Sequence, residues 1–290
     1  MGPRLYRPFT IIRGELKMKN NNEQAKIKAR DTYNLAADHF DDSPLEFWDR
    51  YGGRTVERLG LGRGSVVLDV ACGTGASAIP AAEIVGPGGR VMGIDLAENL
   101  LKLAREKADD KGLRNIDFLP GDMENLGFPD ESFDAVVCVF GIFFVPDMEK
   151  QVAELWRMVK PGGKLAVTTW GPGFFAPAYD FWKEEVRSVR PDLYTAYNPW
   201  DRITDVESVS GLMYHGGAAN VEVVAEEGNQ PLRNTEDWWT MALGSGLIWT
   251  INRLSPGETA SVRKSNLDWL RANSVNSIGT NVIYAVASKE

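Results

Sequence analysis

The sequence predicts an α/β protein built on a doubly wound, mostly parallel sheet of Rossmann-like type. Three observations lead there. Two strand-like runs, SVVLDV at 65–70 and FDAVVCVF at 133–140, are almost wholly apolar, as strands must be when helices cover both faces of a sheet. Such runs alternate with segments of helical period in the order β-α-β-α-β, which calls for right-handed crossovers. A Gly-x-Gly turn at 73–75 follows the first run directly, at the place where such sheets hold a ligand against a helix N-terminus.

Taken in order, residues 1–21 are expected to be a flexible tail. The first 17 are basic, and their apolar piece FTII is too short for a secretory segment; Met18, ahead of KNNNEQ, could equally begin the chain. Asn22 to about Phe40 carries Tyr33, Ala36, Ala37 and Phe40 on one helical stripe, and Pro44 to Leu59 is a second amphipathic stretch. Together they make an N-terminal helical flank at 22–62. The core at 63–170 then alternates: strand 65–70, helix 76–85, strand 90–95, helix 98–112, strands 115–120 and 133–140, helix 147–159, strand 164–170. GPGG at 86–89 and KPGG at 160–163 are read as closing a helix before a strand. Beyond Trp170, residues 171–290 form cap insertions and the last strands of the sheet. An aromatic-rich irregular stretch broken by short helices comes first, with helices near 204–214, 235–247 and 257–273 after it. Strands are expected at 220–228 and 281–289, the last of them antiparallel.

Composition narrows the function. With 290 residues and 43% hydrophobic content the chain can bury a sizeable core without staples. A net charge of −8 argues against nucleic acid, whose phosphates are met by clustered Lys and Arg. No apolar run approaches a membrane span. Cys72 and Cys138 each lie inside an apolar stretch, with no partner cysteine or histidine nearby in sequence; they are expected to be small buried thiols in a cytoplasmic protein, and no metal site is expected.

The glycine turn reads Asp69-Val70-Ala71-Cys72-Gly73-Thr74-Gly75, and glycines there let the backbone approach a ligand closely. Alone this does not separate one nucleotide cofactor from another. Asp95 ends the next strand, where a carboxylate can accept from ribose hydroxyls, followed by Leu96. Gly121-Asp122-Met123 follows the third strand, and Phe140 with the loop GIFFVPDM follows the fourth. In that order the motifs resemble those of the class I S-adenosylmethionine-dependent methyltransferases from about Val66 to Trp170. DMENLGFPDESFDAVVCVFGIFFVPD and NLAADHFDD are similar to stretches of the ubiquinone- and menaquinone-biosynthesis type of small-molecule methyltransferase.

That resemblance implies a seven-stranded sheet, the N-terminal helices as a lid, and S-adenosyl-L-methionine (AdoMet) as cofactor. It implies cofactor contacts from Asp69, Ala71, Gly73, Thr74, Gly75, Asp95, Leu96, Asp122, Met123 and Phe140, with Asp122 meeting the adenine amino group. Methyl transfer would be an in-line displacement onto a small, aromatic or apolar acceptor at carbon or oxygen. Tyr33, Phe143, Phe144, Trp170 and Trp238 are the expected acceptor contacts, and His39 and Tyr33 the candidates for a base. Three alternatives stay open: an NAD(P)-dependent oxidoreductase on the same kind of sheet, against which Asp122-Met123 and Ala78 in place of a third glycine weigh; N-methylation of a small amine; and a binding module that holds AdoMet or its product without turnover. A homodimer is open as well.

Overall fold

The computed structural model describes the backbone of residues 9–290 and the side chains of residues 22–290. Helices α1 (Phe9–Ala36) and α2 (Phe47–Leu59) precede the sheet. Helix α1 thus begins inside the stretch expected to be a tail and ends earlier than Phe40; residues 1–8 of that stretch lie outside the described residues. The Phe47, Tyr51, Thr55 and Leu59 spacing puts one buried stripe on α2, and Gly60 ends it in the left-handed region at φ 60°.

The alternation follows as β1 (Val66–Val70), α3 (Ala78–Val85), β2 (Arg90–Asp95), α4 (Glu98–Asp110), β3 (Ile116–Pro120), β4 (Phe133–Val139), α5 (Met148–Arg157) and β5 (Val159–Trp170). Asp147 starts α5 by accepting from the Lys150 amide. The remainder is α6 (Ala178–Val189), α7 (Val206–His215), β6 (Val221–Glu226), β7 (Asn229–Pro231), α8 (Glu236–Leu243), α9 (Ile248–Ile251), α10 (Pro256–Ala272), β8 (Ser277–Gly279) and β9 (Val282–Ser288).

Seven strands form one sheet in the order β3-β2-β1-β4-β5-β9-β6, and β7 and β8 pair separately. β1 to β5 run parallel, and β9 lies antiparallel between β5 and β6. Period-two alternation divides the core: Leu68, Val70, Val136 and Cys138 belong to one apolar cluster, Val67, Ala135 and Val137 to the other.

Three expectations change. KPGG does not end a helix. It is looped out inside β5, because the pairing jumps from Phe133↔Val159 to Ala135↔Lys164, and Gly162 at φ 78° makes the bend. The stretch after Trp170 holds a full helix, α6, whose buried side is Tyr179, Trp182 and Val186. The β7–β8 pair was not anticipated. No helix among the described residues is long and apolar enough to cross a membrane.

Candidate active site

The parallel strands end together, and the segments just past β1 to β4, with the last residue of β5, wall a cavity of about 1150 Å³, open mouth included. Ala71 to Thr74 come from the turn after β1, Asp95 and Leu96 from the end of β2, Gly121 and Met123 from the turn after β3, Phe140 from the end of β4 and Trp170 from β5. Ala29, Arg30 and Tyr33 of α1 face the same space, as do Phe143 and Phe144 and the Ser245–Leu247 turn. Ala71, Gly73, Thr74, Asp95, Leu96, Met123, Phe140, Tyr33, Phe143, Phe144 and Trp170 are therefore brought together.

The two strand-end acids hold the turn in shape. Asp95 accepts the Gly73 amide on Oδ2 at 2.9 Å and the Ala97 amide on Oδ1 at 2.8 Å, so it ties the end of β2 to the turn after β1. Each oxygen keeps further acceptor capacity. Asp69 is buried and is not on the wall; Ser77, which is, donates its hydroxyl to Asp69 Oδ2 at 2.7 Å. Asp69 Oδ1 is buried with no partner. Burial foremost, with the charge of Asp95, pushes the Asp69 carboxyl up to about 7, against the opposing hydrogen bonds from Ser77 and the Ala78 amide. Thr74 is also committed, donating to Asp41 Oδ1 at 2.7 Å.

Two non-glycine residues sit at positive φ at the heart of the site, Ala71 at 59° and Phe140 at 53°. Each such conformation costs of order 1 kcal/mol or more, and the packing around it must enforce it. Phe140 is enforced by a ring stacked on Trp170 at 4.2 Å and by an edge contact from Trp48 at 5.4 Å. Trp48 is in turn stacked on Phe40 at 5.2 Å. The result is a wall of flat apolar rings completed by Phe174 and Trp200.

Five expected residues stand elsewhere. Gly75 does not line the cavity: at φ 87° it needs to be glycine, and a Cβ there would lie 2.9 Å from Ile79 Cδ1 and 3.2 Å from Phe118 Cζ, so it serves the packing of α3. Asp69 stands behind Ser77. Asp122 also lies off the wall; its Oδ2 meets Lys26 Nζ at 2.6 Å and its Oδ1 accepts the Glu124 amide at 2.9 Å. Trp238 is wholly buried between α8 and α10, with Nε1 donating to Asn266 Oδ1 at 3.1 Å; it belongs to the core and not to the acceptor wall. His39 lies in the turn after α1 with Nδ1 2.9 Å from Asp42 Oδ2, away from the cavity.

The remaining base candidate is blocked chemically. Burial and then the charge of Asp95 push the Tyr33 phenol well above its ordinary range, so it stays protonated near neutral pH. The other titratable groups on the wall are Arg30, paired with Asp31, Asp95, and Cys72, whose thiol is raised by burial and by Asp69 and Asp95. Sequence reasoning did not assign Phe40, Trp48 or Ser77 to the site. The Phe47-Trp48 pair opening an amphipathic helix was the available signal for the second.

A parallel sheet with one antiparallel strand inserted, a glycine turn after the first strand and acids at strand ends is the architecture of the Rossmann-like methyltransferase fold. The chain belongs to the ubiE/COQ5 methyltransferase family, whose model matches residues 42–191. It is 44% identical over 112 residues to a demethylmenaquinone methyltransferase of Listeria welshimeri, covering 39% of this chain and 48% of that one. The chain spans about half the length of the curated relatives it matches. Among solved structures it is similar to the YcgJ protein of Bacillus subtilis, with TM-score 0.55, 19% identity and coverage of 83% of this chain and 98% of that one. It is also similar to Haemonchus contortus phosphoethanolamine N-methyltransferase 2 in complex with S-adenosyl-L-methionine, with TM-score 0.52, 20% identity and coverage of 88% and 60%.

Proposed function

We propose that this chain is an AdoMet-dependent methyltransferase acting on a small, flat, apolar acceptor of quinol or phenol type, at carbon or oxygen. The observation that carries the reading is Asp95. Its carboxylate closes the family-matched segment onto the Gly73 turn and stands on the wall of a cavity otherwise lined by apolar groups and aromatic rings. The residues present suit the cofactor. Asp95 would accept from the ribose hydroxyls with its remaining acceptor capacity, and Met123 and Ile94, both on the wall, would flank the adenine. When bound, AdoMet supplies a methyl carbon made electrophilic by a positive sulfur.

What the chain does is align and exclude water. Orientation can contribute about 7–11 kcal/mol to such a displacement, and aromatic faces near a cation add about 0.5–2 kcal/mol. Phe140 and Trp170 stack on each other, and Tyr33 and Phe144 meet edge to face at 5.5 Å. Tyr33 and Cys72 are held protonated, and Asp95, whose carboxyl burial raises against the hydrogen bonds from the Ala97, Gly73 and Leu96 amides, is in this reading committed to the glycine turn and the ribose. We infer that the acceptor brings its own nucleophile, as an ionised phenol or enol. The relatives named demethylmenaquinone methyltransferase support the quinol choice. Two buried free thiols, Cys72 and Cys138, are in keeping with a reducing, cytoplasmic setting.

The test is a mass-spectrometric screen for methylated product with AdoMet and panels of naphthoquinols, phenols, carboxylic acids and amines. Turnover of quinols or phenols, with a pH–rate limb that moves with each acceptor's own pKa, is expected. A limb fixed at one pH for every acceptor would contradict the absence of a protein base; turnover of amines alone would overturn the acceptor class.

A further inference from the structure

Helix α1 is fastened over the cavity at both ends of its inner stripe. Lys26, Ala29, Arg30 and Tyr33 fall at i, i+3, i+4 and i+7, one face of a helix, and the last three line the cavity. At the near end Lys26 Nζ meets Asp122 Oδ2 at 2.6 Å and Glu124 Oε2 at 2.7 Å. One turn earlier Asn22 donates to Glu124 Oε2 at 3.0 Å. At the far end Asn99 donates two hydrogen bonds to Asn34, from its backbone amide to Asn34 Oδ1 at 2.9 Å and from its side-chain amide to the Asn34 carbonyl at 3.0 Å. The neighbours of Asp122 in the chain, Gly121 and Met123, are on the wall, so the carboxylate is rooted in the wall segment while its oxygen holds the lid.

We propose that Lys26 is a positioning residue: by holding Asp122 and Glu124 it seats α1 over the cofactor end of the cavity and sets how long the cofactor stays. The inference rests on the AdoMet reading above. Burial draws the Lys26 ammonium down, but its hydrogen bonds and charge contacts with Asp122 and Glu124 outweigh this and leave its pKa raised, so the fastening is charged near neutral pH. Asp122 then has a task beyond any contact with an adenine ring, because it couples the wall turn to the lid.

The test compares wild type with Lys26→Met, Lys26→Arg, Asp122→Asn and the Lys26→Met/Asp122→Asn double variant. AdoMet dissociation is followed by stopped-flow fluorescence of the wall tryptophans, and hydrogen exchange is measured over residues 22–36 with and without AdoMet. Lys26→Met should speed dissociation roughly three- to fivefold, as expected for a partly exposed ion pair, and should speed α1 exchange in both states. Lys26→Arg should restore most of both, and Asp122→Asn should add little once Lys26 is gone. Unchanged dissociation and exchange in Lys26→Met would overturn the proposal, as would an undiminished Asp122→Asn effect on dissociation in the Lys26→Met background. If wild type binds no AdoMet, the functional reading fails instead, and exchange of the ligand-free variants alone decides whether Lys26 seats the helix.

Discussion

Asp69→Asn should make the ligand-free protein more stable at alkaline pH and change it least in acid. Asp69 is almost wholly buried, and its carboxyl is pushed from an ordinary 3.8 up to about 7. Below pH 3.8 both the folded and the unfolded chain carry the proton and the group costs nothing. Between 3.8 and about 7 the unfolded chain ionises while the folded one keeps its proton, so stability falls as pH rises, and it levels off above about 7. At about 1.4 kcal/mol per unit of pKa, the full cost is about 4 kcal/mol, of which about 3 kcal/mol develops between about pH 5 and about pH 8. Asparagine keeps an oxygen for the Ser77 hydroxyl and cannot ionise, so its own effect is independent of pH. Urea unfolding of both proteins at the two pH values gives the comparison. The stability difference, variant minus wild type, should increase by about 3 kcal/mol from the acid to the alkaline buffer. A difference that does not move with pH would refute the account of Asp69 as a buried, half-satisfied acid.

Asp95→Ala removes two hydrogen bonds to an ionised acceptor, worth about 1.5–3 kcal/mol each; it should lower the melting temperature and weaken AdoMet by at least roughly tenfold in calorimetry, and an unchanged affinity in a folded variant would contradict its assignment. Trp238→Ala should cost about 3–5 kcal/mol in urea unfolding as a core truncation, whereas Trp238→Phe should leave AdoMet and acceptor affinity alone; a raised KM for the acceptor in the phenylalanine variant would return Trp238 to the site. His39→Ala should leave kcat and its pH profile unchanged, and loss of turnover without loss of AdoMet affinity would mean that His39 reaches the acceptor.

The sheet was legible because strands covered on both faces have no polar side to write, so VVLDV and AVVCV stand out as short apolar runs bounded by turns. KPGG was misread because Pro and Gly punctuate a looped-out bulge and a helix end in the same letters; only the pairing of Phe133 and Ala135 across it tells them apart. The backbone of the site was legible for a related reason: strand ends and glycine turns are local. Its side chains were less so. Trp170 and Trp238 are equivalent as letters, and which of them meets the cavity depends on how α8 packs against α10. Gly75 and Gly73 both sit at positive φ, yet one accommodates Ile79 and Phe118 and the other borders the cavity. The Lys26–Asp122 pair joins residues 96 positions apart and leaves no local pattern.

The central claim is that the Asp95-braced turn and its ring-lined cavity hold AdoMet. Calorimetric titration of the purified protein with AdoMet, and separately with nicotinamide dinucleotides, tests it most directly. The account predicts one AdoMet per chain with a Kd in the micromolar range, about 8 kcal/mol of binding free energy, and no binding of the dinucleotides. Binding of a dinucleotide with no heat from AdoMet would contradict it.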